Sequence, residues 1–389
     1  MKARNGQQGY GRRKGLPFVD GTIDTGVGAG CPKRGAGFRN VVAWLLIAAV
    51  MGPLARAEAP TLAERQAALL LSPPRKVVVA TVCTFLGRKM TAGDRVAIID
   101  RFLAEAAKQA EQQYPGTGLD LFVLPENALQ RGSEAARSAG NRALSLEDKE
   151  VRQVGALAAR ESTWLILPMQ LAEKLHGREV YRNAAVLFDR KGRVAGVYRK
   201  LHPLADKSGV FEGGVTPGED APVFVTDFGK VGIQICWDMS FEDGWAALGA
   251  SGAELVAVPS ASPQNIPLAW FAHRHRYWIV NSAPRDNVTI FNPIGLPDAQ
   301  LTKPGVLVHR FDLVSAAIHW NPEVDEGRVF QRRFGDRVGF VWNAREDTGL
   351  FWSNDANLSI GAMMKELGQE QMDAQVERIR KALKAHKAH

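Results

Sequence analysis

The stretch VGIQICWDMSFE, Val231 to Glu242, turns from apolar to polar at a single cysteine. An isolated Cys that ends a β-branched run has two readings. It is usually a small buried packing residue. It can also be a nucleophile held at a strand's tip, provided a base or a cation stands beside it to favour the thiolate. The remainder of the chain decides between them.

Two other apolar runs end in residues with complementary chemistry. LDLFVLPE ends at Glu126 and RVAGVYRK ends at Lys200. A carboxylate or ammonium that closes a buried strand is costly unless paired. Three such ends gathered at one sheet edge would lie where open α/β sheets place their sites. There Glu126 would take the thiol proton, and Lys200 would hold the thiolate and then an oxyanion. The backbone N–H of Trp237 would be a second oxyanion donor.

The flanking pattern is strand–helix alternation with hairpins inserted. KVVVATVCTFLG, LDLFVLPE, TWLILPMQ, ELVAVPS, YWIVNSAP, NVTIFNP and VLVHRFD read as strands. Residues 94–113, 146–161, 241–251 and 267–277 read as helices. Arg190-Lys191-Gly192 and Phe228-Gly229-Lys230 mark two hairpin turns. This predicts an α/β layered fold on a mixed sheet. The pattern loosens beyond Leu350, and residues 373–389 read as a basic amphipathic outer helix.

LPEN, YRKLH and ICWD, in that order, resemble the three signature segments of the nitrilase superfamily of carbon–nitrogen hydrolases. The resemblance covers residues 76–312. TPGEDAPVFVTDFGKVGIQICWD and GAELVAVPSA extend it on both sides of the cysteine. It implies a Glu126–Lys200–Cys236 triad and an α-β-β-α sandwich that forms four layers when dimers pack sandwich to sandwich. It also implies a second glutamate between Lys and Cys, for which Glu212 in VFEGG is the candidate. One segment departs from the family: HRHRYWIVNSAP lacks the usual Glu-Asn pair, which leaves the substrate and the oligomer contacts open.

The other residues with chemistry to offer have plainer readings. Cys83, inside VVATVCTF, reads as inert core. His273 and His275 in HRHR have no Asp/Glu/Cys cluster at metal spacing, so no metal is expected and a surface or pocket-rim role is. His202 allows a Cys-His arrangement as a minor alternative. Trp237 and Trp270 are candidate pocket linings or plain packing. No cofactor is expected.

The formal charge of +8 is concentrated at one end. The first 57 of 389 residues carry nine Lys/Arg and two acids, a surplus of seven. The body is therefore near neutral, without a basic stripe, which argues against a nucleic-acid partner. Basic residues, the apolar run Val41–Met51 and the A-x-A site at Ala55–Ala57 follow the secretory pattern. The expectation is export to the periplasm or beyond, with cleavage after Ala57 and no stable membrane span afterwards. An anchor at residues 41–51 is the alternative, though that run is shorter than the ~20 residues of a membrane helix.

The organisation expected is a targeting segment (1–57), a linker (58–75), a hydrolase domain (76–350) and a C-terminal extension (351–389). The resemblance implies a homo-oligomer that hydrolyses a small amide or N-carbamoyl compound. A nitrilase is the alternative within the family, and a silent secreted binding protein the alternative outside it. Asp238 after Trp237 tilts the choice toward amidases, since nitrilases more often carry Glu there.

Overall fold

The structure, a computed structural model, describes residues 60–84, 90–130, 139–141 and 143–387. The targeting segment and the alternative anchor at 41–51 lie outside the described residues, as does most of the loop after Gln130. Among the described residues no helix is long and apolar enough to cross a membrane.

From the N-terminal side, α1 (Leu62–Leu70) precedes β1 (Lys76–Cys83), α2 (Ala92–Gln113), β2 (Leu121–Val123), α3 (Lys149–Arg160), β3 (Trp164–Leu175), β4 (Arg178–Phe188) and β5 (Val194–Arg199). Next come β6 (Phe224–Val225), β7 (Lys230–Ile233), α4 (Asp243–Ala250), β8 (Leu255–Pro259), α5 (Asn265–His275), β9 (Trp278–Ser282), β10 (Val288–Phe291), β11 (Pro297–Leu301) and β12 (Gly305–Asp312). Last are β13 (Ser315–His319), α6 (Arg328–Phe334), β14 (Val338–Asn343), β15 (Thr348–Ser353), α7 (Ile360–Glu366) and α8 (Met372–Lys387).

The strands form two six-stranded mixed sheets, ordered β12-β1-β2-β3-β4-β5 and β11-β10-β9-β8-β7-β6. β1, β2 and β3 are parallel neighbours in the first, and β7, β8 and β9 in the second. The period-2 alternation of strands sorts their side chains into layers. Val77 and Val79 face the inter-sheet core with Ile233, Ala257 and Val280. Val78, Ala80 and Val82 face outward and pack with Ile99 and Leu103 of α2 and Val154 of α3. On the far side Val256 and Val258 of β8 pack with Leu248 of α4 and Leu268 of α5. The result is the expected α-β-β-α sandwich. The sheets are tied at one end: Thr81 Oγ1 donates to the Asn281 carbonyl at 2.7 Å, and Ser282 Oγ to the Val82 carbonyl at 3.0 Å.

Local sequence explains the element ends. Thr91 caps α2 through a reciprocal capping box with Asp94. Pro125, which has no N–H, follows closely on β2, so the strand stops short of Glu126. β3 continues past Gln170 and turns at His176-Gly177 into β4, a hairpin the polar run AEKLHGREVYR concealed.

Two expected boundaries differ from the structure. Residues 58–75 are not a plain linker, because 62–70 form α1, capped by a Thr61–Glu64 capping box, with Leu70 buried. The boundary at 350/351 cuts β15, the central strand of a third sheet ordered β13-β15-β14. That sheet shares a core of Phe330, Phe351, Ile360 and Met363 with α6, α7 and Leu70 of α1. The residues beyond Leu350 that read as loosened pattern thus complete a small module that begins at β13. α8 is the outer basic helix expected, with no buried residue of its own.

Candidate active site

Glu126, Lys200, Glu212 and Cys236 reach the site from four different segments. Lys200 directly follows β5, and its N–H still donates to the Asn183 carbonyl at 2.9 Å, so the strand pairing delivers it. Its side chain is 2% exposed. Nζ lies 3.0 Å from Glu126 Oε1 and 2.6 Å from Glu212 Oε1. Burial alone would lower the lysine pKa. The charges of Glu126 and Glu212, with the Cys236 sulfur, outweigh it and hold the ammonium well above the ordinary lysine range.

Glu212 is held by its own turn. Its backbone has φ +34°, and the pair Gly213-Gly214 follows with positive φ. Its N–H donates to the Leu204 carbonyl at 2.9 Å, and the Leu204 N–H returns to Glu212 Oε1 at 3.0 Å. The loop Leu201–Pro217 thus presents the second carboxylate to Lys200.

Cys236 opens a 3-10 turn, Cys236–Ser240, just beyond β7, and its φ of +46° lies in the left-handed region. A non-glycine residue there is strained unless its surroundings fix it. Burial, and then the Glu126 charge, push the thiol pKa up to about 11, against the opposing pull of Lys200, the Ala261 amide and the Ser260 hydroxyl. The resting thiol is therefore protonated at neutral pH. Trp237, 37% exposed, supplies an amide at the first turn of this short helix, where backbone donors lack intrahelical partners.

The structure gathers Glu126, Lys200, Glu212 and Cys236 and adds two residues to them, Asn183 and Asp238. Asn183, on β4, is buried and donates through Nδ2 to Glu126 Oε1 at 2.8 Å and to Glu212 Oε2 at 2.7 Å. It bridges the two carboxylates that Lys200 also bridges. Its signal was visible as the polar residue opening NAAVLF, but a strand-opening Asn has many uses. Asp238 is fully buried and accepts from Tyr198 OH at 2.7 Å, from Ile235 N at 2.8 Å and from His202 N at 2.8 Å. His202 turns its ring to Asp238 and Asp243, each at 3.2 Å, and stacks on Phe241, so the Cys-His alternative has no support in these contacts.

Cys83 is 1% exposed in β1 and lies in a small apolar cluster with Ala283 and Val288, and both described cysteines are free. Trp270, His273 and His275 line a separate cavity of about 450 Å³ between α1, α5 and α8. None of Glu126, Lys200, Glu212 or Cys236 lines it.

A family model described as carbon-nitrogen hydrolase matches residues 83–282, about half of the chain. Over 166 residues the chain is 30% identical to the deaminated glutathione amidase of Yersinia enterocolitica, covering 41% of this chain and 57% of that protein. Over 184 residues it is 30% identical to the bifunctional nitrilase/nitrile hydratase NIT4A of Lupinus angustifolius, covering 45% and 51%. The chain spans about half the length of the curated relatives it matches. Its fold is similar to that of Saccharomyces cerevisiae Nit3, a member of branch 10 of the nitrilase superfamily, with a TM-score of 0.51 at 19% identity over 67% of this chain and 95% of that one. The matched span runs from the end of β1 to the end of β9 and contains Glu126, Lys200, Glu212 and Cys236. The chain belongs to the carbon-nitrogen hydrolase family of the nitrilase superfamily.

Proposed function

We propose that the protein hydrolyses a non-peptide C–N bond of a small amide or N-carbamoyl compound through a thioester on Cys236. The observation that carries this reading is the buried Lys200 ammonium, shared by Glu126 and Glu212, within electrostatic reach of a thiol that opens a strained turn.

The proposed steps use the residues gathered at this site. With its pKa near 11 the thiol is not a standing thiolate. Its proton leaves as the S–C bond forms, and Glu126 accepts it. The carbonyl oxygen gains negative charge, which Lys200 and the Trp237 N–H stabilise. Glu126 returns the proton to the departing nitrogen, the C–N bond breaks, and ammonia or an amine leaves a thioester on Cys236. Water then attacks that thioester, giving its proton to Glu126, and the acid departs as the thiol re-forms. Asn183 and Glu212 fix Lys200 and Glu126 at the start of each half-reaction.

The chain's own residues supply the nucleophile, the base and the cation that these steps use. Asp238 in CWD supports the amide reading over the nitrile one, while the amidase and nitrilase relatives match at the same 30% identity and favour neither. A panel of amides, nitriles, ureas and N-carbamoyl compounds, read by ammonia release, tests it. Release from an amide or N-carbamoyl compound, lost in Cys236→Ala, is expected. Acid and ammonia from nitriles but not from amides would assign a nitrilase. No turnover, with no selectively fast cysteine toward iodoacetamide, would leave a silent binding protein.

The basic flank, short apolar run and A-x-A site support export with cleavage after Ala57. N-terminal sequencing of protein from its native host tests this. A chain that starts at Met1 in the cytosolic fraction would refute it.

A further inference from the structure

One carboxylate, that of Asp238, touches both arms of the site. Its Oδ2 accepts from Tyr198 OH at 2.7 Å and from Ile235 N at 2.8 Å. Its Oδ1 accepts from His202 N at 2.8 Å and lies 3.2 Å from His202 Nδ1. Tyr198 and His202 stand two residues before and two after Lys200, and Ile235 directly precedes Cys236. Asp238 also holds the far side of the turn, where its backbone carbonyl accepts from Trp245 Nε1 at 3.0 Å.

We propose that Asp238 is a positioning residue that locks the Cys236 turn to the Lys200 segment, and that His202 is its titratable partner. This rests on the reading of Cys236 and Lys200 as nucleophile and oxyanion cation. The groups that face His202 are Asp238 from the turn, Asp243 at the start of α4 (3.2 Å to Nε2) and the Phe241 ring, whose centroid is 4.0 Å away. Tyr198 shares Asp238 with it.

The hydrogen bond to Asp238 raises the His202 pKa against the opposing effect of burial, and the charges of Asp238 and Asp243 add to the rise. A raised histidine pKa means that the clamp is complete below the ordinary value near 6.5 and weakens as pH rises through the higher folded value. A carboxylate with several partners is commonly only structural. A clamp with this location makes a further demand: the nucleophile's alignment should follow the protonation of a histidine that does not touch it.

The test uses the full chain and three variants, Asp238→Asn, Tyr198→Phe and His202→Gln. With an amide from the panel, each should lower kcat with KM little changed, Asp238→Asn by about 10- to 100-fold, the range expected for a misplaced reacting group. Wild-type kcat should fall by a step as pH rises through the His202 titration, and His202→Gln should lack that step. If Asp238→Asn does not fold, the other two variants decide. Wild-type kcat in both, with the step retained, overturns the proposal. If the wild type hydrolyses nothing in the panel, the functional reading fails and prolonged iodoacetamide alkylation of Cys236 at pH 6, where the clamp is complete, still decides it. Several-fold slower alkylation in the variants supports it, and an unchanged rate overturns it.

Discussion

Around Lys200 one ammonium is shared by two carboxylates, Glu126 at 3.0 Å and Glu212 at 2.6 Å. Around Asp238 one carboxylate is shared by donors from Tyr198, Ile235 and His202. Both clusters have a buried centre, both bear on Cys236, and their composition is inverted. The Lys200 cluster carries more carboxylate than cation, so it has an acceptor to spare for a proton. The Asp238 carboxylate has a donor on each oxygen, so it has little to offer a reaction and much to offer the backbone. On the proposed reading, the two clusters divide the work of one nucleophile, one for proton chemistry and one for alignment.

The largest effect expected is in the first cluster. Glu126→Gln keeps the shape and removes the proton acceptor, so kcat should fall by about 10²–10⁴-fold, with stability lowered by no more than the ~3–5 kcal/mol of a broken buried pair. The same variant should make Cys236 more reactive toward iodoacetamide at pH 8–9, because the Glu126 charge is one cause of the raised thiol pKa. Slower turnover with faster alkylation separates the base from the nucleophile. A parallel loss of both would place Glu126 among the purely structural residues.

Lys200→Arg should fall next, by about 10²–10³-fold, since the planar guanidinium does not replace a compact ammonium aimed at an oxyanion. Lys200 is the charge that lowers the thiol pKa, so alkylation at fixed pH should slow in Lys200→Met. Unchanged alkylation there would remove Lys200 from the nucleophile's surroundings.

Glu212→Gln should act between the two clusters. It leaves Lys200 paired with Glu126 alone, and kcat should drop by less than in Glu126→Gln, with stability lowered by no more than the ~3–5 kcal/mol of a broken buried pair. A loss as deep as that of Glu126→Gln would make Glu212 an equal partner in proton transfer. The smallest effect is Cys83→Ala, which trims a small side chain packed with Ala283 and Val288 at the end of β1 and should cost about 1 kcal/mol or less with normal kcat. Inactivation would contradict its reading as inert packing.

The α/β layering on mixed sheets was legible because its strands are near-continuous apolar runs and its helices show the helical period, whereas the α-β-β-α sandwich was implied by the resemblance of LPEN, YRKLH and ICWD to the family. The triad was legible because each member closes such a run, Glu126 after LFVLP, Lys200 after VYR and Cys236 after IQI. Asn183 and Asp238 were not, because their importance lies in partners far along the chain: Asn183 meets carboxylates 57 residues before it and 29 after it. No local pattern encodes such distances. The C-terminal module was missed for a different reason. Its strands have small or polar residues between the apolar ones, as in SAAIH and TGLFWS, and its core is completed by Leu70 of α1 from the other end of the chain. The helix α1 itself was hidden behind the loop-like SPPR that follows it.

Both clusters have meaning only if Cys236 becomes acylated. The direct measurement is rapid-quench mass spectrometry of the protein with a turned-over amide, followed by peptide mapping. The account predicts an acyl adduct on Cys236 that forms within a turnover, disappears as substrate is exhausted, is released by hydroxylamine and is absent in Cys236→Ala. An adduct on another residue, or full activity in Cys236→Ala, would contradict it.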